Sequence, residues 1–233
     1  MGEVNQIKIY KKNIADSFKK WKNTKVERLV NYQQQVVLLI NHQNQFLKEK
    51  DIKQALQMTI SPDFYLDLGE PAAGPIPPTS WSYYDNIKKN LYDEETAKKI
   101  LKKNLKKEKS FNLYTSYDNY YTASLLKDIF EKNGLTINIR IFSGQNLKDF
   151  DFFLANLQIP PDPDQYVFWH STQKNAQFFS YKNVKVDKLL EDGRDTLDLN
   201  KRKKIYQEYQ KVIVDDPPSL FLYYPYVYFI TRK

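Results

Sequence analysis

The sequence contains no cysteine. Disulfides, thiolate-bound zinc and a thiol nucleophile are therefore excluded, while the compartment stays open, because exported proteins without disulfides are common. Histidine is almost as scarce. His42 and His170 are the only two, and neither stands in a spacing that holds a metal. No run of about 18 apolar residues occurs, the length a membrane-spanning helix needs. Glycine numbers six, and arginine is rare beside lysine. Glycine-rich phosphate loops and the arginine-rich arms of nucleic-acid binders are accordingly missing. G-x-x-x-x-G-K-[ST], G-x-G-x-x-G, G-x-S-x-G and H-E-x-x-H are all absent. An enzyme reading has no positive support, and no cofactor or metal is implied. The start, "MGEVNQIKIY", lacks the basic, apolar, small-residue order of an export signal. Either the protein is cytosolic or its targeting segment lies outside this sequence.

What is present is a chain of 233 residues, enough for one large domain or two small ones. It carries 18 Tyr and 14 Phe, side chains that serve both packing and wet contact surfaces. The formal charge is +8, from 36 basic and 28 acidic residues. Its lysines are spread over many helix faces, which argues for a solvated surface and against nucleic acid.

Hydrophobic periodicity supplies the elements. "DSFKKWKN" from Asp16 predicts a short capped helix, and Thr24 to His42 predicts one or two β-branched strands. Asp51 to Ile60 places Ile52, Ala55 and Leu56 on one helical face. Gly69 to Asn86, "GEPAAGPIPPTSWSYYDN", holds four prolines. It cannot be helix or central strand, and Trp81, Tyr83 and Tyr84 argue for an ordered, packed loop. Tyr92 to Lys109 predicts a helix capped by Asp93, with Ala97, Ile100, Leu101 and Leu105 as its buried stripe. Next come a strand "SFNLYTS", a helix from Tyr120 to Gly134 and a strand "LTINIRIF", the mark of an α/β unit with a parallel pair. "NLKDF" predicts a helical turn and "DFFLANL" a strand. Two helices follow, the second capped by Asp198 with Ile205, Tyr209, Val212 and Ile213 inward. "LFLYYPYVYFITRK" closes the chain as a strand broken at Pro225.

The stretch "IPPDPDQYVFWHSTQ", Ile159 to Gln173, has its own logic. Asp162, Pro163 and Gln165 fit a capping box, so a helix begins near Pro163. Tyr166, Trp169 and His170 then share one face at i, i+3 and i+4, while Val167 and Phe168 point inward. That face is a candidate binding surface, and Trp169→Ala is expected to weaken binding without unfolding the protein.

"DPDQYVFWHSTQ" and "VDKLLEDGRDTLDLNKRKKIYQEYQKVIVDDPPSLFLYYP" resemble the C-terminal half of the family 5 extracellular solute-binding proteins. These are the oligopeptide-, dipeptide- and nickel-binding receptors of ABC importers. Upstream, "GEVN", "VVLLINHQ", "KDIKQALQMTIS" and "GPIPPTSWSYYD" fit the same family in the same order. The resemblance implies an α/β fold, one lobe of the type II periplasmic-binding-protein architecture with a mixed sheet flanked by helices. It implies a single domain over residues 1–233, with both termini near a hinge and the first lobe absent. It also implies an extracellular or periplasmic protein, anchored through an N-terminal segment missing from this sequence. The partners it implies are a small solute or oligopeptide, the first lobe of the same full-length chain and an ABC permease.

In peptide-binding relatives, residues before the acidic-Pro pair take the peptide backbone like an added strand. The matching positions here are Ala155, Asn156 and Leu157. An aspartate that holds the peptide amine in relatives is matched by Ile159, which cannot pair with an ammonium and leaves the ligand open between a longer or blocked peptide, a sugar-like solute and another molecule. Asn41, at the end of an apolar strand, and Trp81, in the proline-rich loop, complete the candidate ligand-binding set with Tyr166, Trp169 and His170. The alternative reading is a non-catalytic basic domain that binds an anionic cell-surface partner through one contiguous basic face.

Overall fold

The computed structural model describes residues 5–87, 92–105, 110–144, 147 and 149–233. In chain order the described elements are β1 (Gln6–Ile9), α1 (Lys12–Phe18), β2 (Thr24–Val30), β3 (Gln34–Ile40), α2 (Lys50–Met58), a 3-10 turn (Pro62–Tyr65) and β4 (Gly69–Pro71). Then follow α3 (Glu94–Asn104), β5 (Ser110–Thr115), a second 3-10 turn (Tyr117–Asn119), α4 (Tyr120–Lys132), β6 (Thr136–Ile141) and β7 (Phe152–Gln158). The chain closes with α5 (Tyr166–Trp169), α6 (Lys174–Phe178), α7 (Val184–Asp195), α8 (Leu199–Asp215) and β8 (Ser219–Arg232).

The run "VVLLI" in β3 explains the layering. Val36, Leu38 and Ile40 enter one core with the helices α2, α3 and α4, and Val37 and Leu39 enter a second with α7 and α8. A strand buried on both faces reads as a continuous apolar run. The sheet order is β1-β8-β3-β7-β5-β6, with β2 and β4 also paired to β8. β5 runs parallel to β6 and to β7, and the other pairs are antiparallel. The result is the expected mixed sheet flanked by helices. The two ends of the chain lie side by side, with Gln6 opposite Thr231.

Several boundaries differ from expectation for physical reasons. β8 does not break at Pro225. That residue sits where β8 changes partners, from β3 and β4 to β1 and β2. Its carbonyl accepts from the Asn31 N–H at 2.9 Å, and the next N–H, of Tyr226, donates to Leu68 O, so the missing donor leaves no gap. α1 starts at Lys12 rather than at Asp16, because fully buried Ala15 must lie within it; Asp16 instead pairs with Lys19 at 2.7 Å. In α8 the inward face is Tyr206, Tyr209, Gln210 and Ile213, with Ile205 and Val212 half-buried. Caps fall where expected at Asp93 and Asp198, which accept from Thr96 and Lys201 N–H groups. The expected continuation of α3 to Lys109 and the "NLKDF" turn fall wholly or partly on residues outside those described.

Candidate functional site

The edge of β7 is the feature that the fold leaves open. β3 pairs with β7 along its whole length, Phe152 to Gln158. On the other side β5 pairs only as far as Leu154, opposite Thr115, and the chain then turns away into α4. Antiparallel strands direct alternate residues to one partner. Ile159 N–H donates to Gln33 O at 2.8 Å and Asn41 N–H to Asp151 O at 2.9 Å. The odd positions therefore bond β3, and the backbone groups of Asn156 and Gln158 face the open side. Among the described residues no strand covers that edge. The side chain of Asn156 is exposed, and those of Ala155 and Leu157 are half-buried against the α7–α8 side.

The edge lies at the carboxyl end of β5, where parallel sheets place their ligand crevices. Three residues that follow β5 are Tyr117, Tyr120 and Tyr121, which are 80%, 49% and 64% exposed. Exposed tyrosines at the start of a helix were legible in "YTSYDNYY", but only the end of β5 beside the open strand gives them a position of interest.

The Ile159–Gln173 stretch is built differently from expectation. Asp162 and Asp164 do not cap a helix at Pro163. Each accepts the N–H two residues on, Asp164 N and Tyr166 N, both at 2.9 Å, as Asx turns do. Both carboxylates are held by arginines from the neighbouring helices. Arg202 meets Asp162 in a two-pronged pair at 2.7 and 2.8 Å, and Arg194 lies 2.8 Å from Asp164. Arg202 holds the Asp162 carboxyl below its ordinary range. α5 is left with only four residues.

Three residues of this stretch depart from expectation, while Tyr166 and Phe168 are both half-buried. Val167 is 48% exposed, whereas Trp169 is 1% exposed and His170 is 4% exposed. The Trp169 indole packs against Phe179 and Phe221. Its N–H donates to Gln165 Oε1 at 2.8 Å. Tyr166 stacks on His170 with ring centres 4.1 Å apart, and the Arg194 guanidinium sits 4.3 Å from the Tyr166 ring centre. His170 Nε2 lies 3.2 Å from Glu191 Oε1. The structure thus brings Tyr166 and His170 together and separates Trp169 from them.

Asn41 lies at the opposite end of β3 from the open edge. Its amide donates to Phe150 O at 2.8 Å and its carbonyl accepts from Gln43 N, so it closes its own loop. Trp81 is 39% exposed, with the Arg202 guanidinium 5.7 Å from its ring centre. The proline-rich loop around it is held by glutamines: Gln35 donates to Gly74 O at 2.7 Å, Gln165 to Pro75 O at 2.6 Å and Gln210 to Ser82 O at 2.9 Å. All three glutamines are buried. Gln165 was singled out in the sequence only as a capping residue, and nothing there distinguished Gln35 and Gln210 from surface glutamines. Ile159 is itself buried, 7% exposed, so neither its chemistry nor its position suits an ammonium.

Several lysines pair with acids, as in Lys12–Asp67, Lys50–Asp215, Lys127–Glu131, Lys188–Asp192 and Lys211–Glu208, so part of the basic charge is locally balanced. Among the described residues no group of acids and histidines could hold a metal, and no helix is long and apolar enough to cross a membrane.

The model of the bacterial extracellular solute-binding proteins, family 5 (middle), matches residues 1–178. The chain belongs to this family. The oligopeptide-binding protein AppA of Bacillus subtilis is 30% identical over 219 residues, covering 79% of this chain and 40% of that protein. The solved structure of Bacillus subtilis AppA in complex with a nonapeptide superposes with a TM-score of 0.84 at 25% identity, over 99% of this chain and 52% of that one. NikZ from Campylobacter jejuni in complex with Ni(L-His) shares the fold, with a TM-score of 0.82 at 23% identity, over 99% of this chain and 52% of that one. This solute-binding-protein chain spans about half the length of the relatives it matches, and its fold is that of a type II periplasmic-binding-protein lobe.

Proposed function

We propose that this chain is the closing lobe of an ABC importer's substrate-binding protein and takes an extended peptide on the open edge of β7. The observation that carries this reading is that edge: backbone donors and acceptors at Asn156 and Gln158, unpaired with any described strand, beside a strand that stops at Thr115. An added strand would complete the ladder there. The 30% identical oligopeptide-binding relative, solved with a nonapeptide, supports a peptide ligand. With Ile159 buried, the peptide is bound by its backbone and not through a free amine. Its full-length partner surfaces are a first lobe, on the side where β1 and the end of β8 lie together, and a membrane permease. The role is non-catalytic, in an extracellular or periplasmic setting, with the whole protein tethered through an N-terminal anchor.

Asn156→Pro tests this. It removes the N–H that faces the open edge and spares the ladder to β3, a position where proline is tolerated in a strand. Denaturing the full-length protein and analysing what it releases by mass spectrometry should yield peptides from the parent. The Asn156→Pro variant should unfold as cooperatively as the parent and release none. A parent that releases only sugars or metal chelates, or a folded Asn156→Pro variant with its peptides intact, would sink the proposal.

A further inference from the structure

We propose that the aromatic side chains beside the start of the open edge form a subsite that selects one uncharged, large apolar side chain of the bound peptide. This rests on the peptide reading above and names the chemistry that edge prefers. Phe153 lies on the α7–α8 face of β7, two residues before Ala155, with Tyr114 of β5 opposite it in register. Phe142 follows β6 directly and is fixed by its N–H, which donates to Thr115 O at 2.8 Å, the residue at which β5 stops. Phe142 and Phe153 meet edge to face with ring centres 5.5 Å apart. Phe153 meets Phe178 of α6 in the same way at 6.3 Å, and Phe178 stacks on Phe150 at 4.7 Å and 8°. Phe150 is buried at 5% exposure, whereas Phe178 is 44% exposed and Phe142, Phe153 and Tyr114 are half-buried. The rings thus hold one another in place, and among the described residues they form an apolar shelf with Phe178 its most exposed member.

The shelf is placed for a side chain of an added strand. Side chains of such a strand alternate between the two faces of the sheet. Those on the α7–α8 side fall in line with Ala155 and Leu157, next to Phe153 and Phe142. Ala155 is the smallest residue in that row and is half-buried. A charged side chain laid on the rings would lose hydration without gaining a partner. Arg140 is exposed on β6 in register with Tyr114, and its charge repels a lysine further.

The test is calorimetry of the full-length protein with acetylated, amidated nonapeptides of Ala and Ser that carry a single Phe, Ala or Lys at each position in turn. Phe should raise affinity at least about tenfold over Ala at one or two positions, the scale at which apolar pockets discriminate, and Lys should bind more weakly than Ala there. Phe178→Ala should cut that Phe-to-Ala ratio to below about threefold, and Phe142→Ala should do the same. A flat Phe scan in a protein that binds these peptides overturns the subsite alone. So does a Phe preference that both variants leave unchanged. Absence of binding to every peptide overturns the peptide reading and the subsite together.

Discussion

The Trp169 indole fills the second core, and its one polar atom is bonded to the buried Gln165. Gln165 in turn donates to Pro75 O and so ties the helix turn to the proline-rich loop. Trp169→Ala should therefore cost about 3–5 kcal/mol of stability, read from urea unfolding, where a surface role would leave the midpoint unmoved. This reverses the expectation from the i, i+3, i+4 spacing. Spacing fixes which residues share a face and says nothing about which way a four-residue helix turns. A pH effect belongs to the same scale. Burial first, and the nearby Lys53 ammonium second, lower the pKa of half-buried His42 from 6.5 to about 4. The unfolded chain binds that proton near 6.5, so between the two values only the unfolded state is protonated. Stability should fall as the pH drops from about 6.5 to about 4, by at most roughly 3 kcal/mol from this group. His42→Asn should flatten that part of the stability–pH curve. An unchanged slope in the variant would move the effect to other groups.

At the scale of elements, the close approach of β4 to β8 makes a sharp prediction. A Cβ on Gly69 would stand 2.1 Å from Tyr224 O and 2.6 Å from the Tyr223 ring. The first is backbone and cannot step aside. Gly69→Ala should cost at least about 2 kcal/mol and loosen the proline-rich loop, measurable as faster hydrogen exchange in residues 69–75. The caps behave as read from sequence. Asp198 accepts the Lys201 N–H at 2.8 Å, and Asp198→Ala should lower stability by about 1 kcal/mol, seen as a lower thermal midpoint. The helices with long apolar stripes were legible because their periodicity and caps are local properties. α5 was not, because Arg194 of α7 and Arg202 of α8, 30 and 40 residues further along the chain, bind the two aspartates that would otherwise cap it. In β8, Pro225 read as a break because its cost depends on what lies across the strand, and here the next strand's contacts need only its carbonyl.

For the whole molecule, a peptide held by one strand edge keeps half or more of its surface in water. The isolated 233-residue chain should bind the nonapeptides at least about a hundredfold more weakly than the full-length protein, about 2.7 kcal/mol, by calorimetry of the two side by side. Equal affinities would mean that the lobe alone suffices and that closure adds nothing. Residue order alone determined the α/β class, most element positions, the absence of thiol and phosphate-loop chemistry, and the family resemblance carried by the Asp162–Gln173 stretch and the two helices after it. These follow from short-range periodicity, capping and motif order, which are written along the chain. Only tertiary structure decided which candidates meet. The open edge at Asn156 exists because β5 ends two residues short of it, and Trp169 is core because α5 turns it against Phe179 and Phe221. Asn41 is remote because β3 runs its full length between it and the edge. Those outcomes depend on strand register and on partners over a hundred residues away, such as Asn41 with Phe150, and no local pattern encodes them.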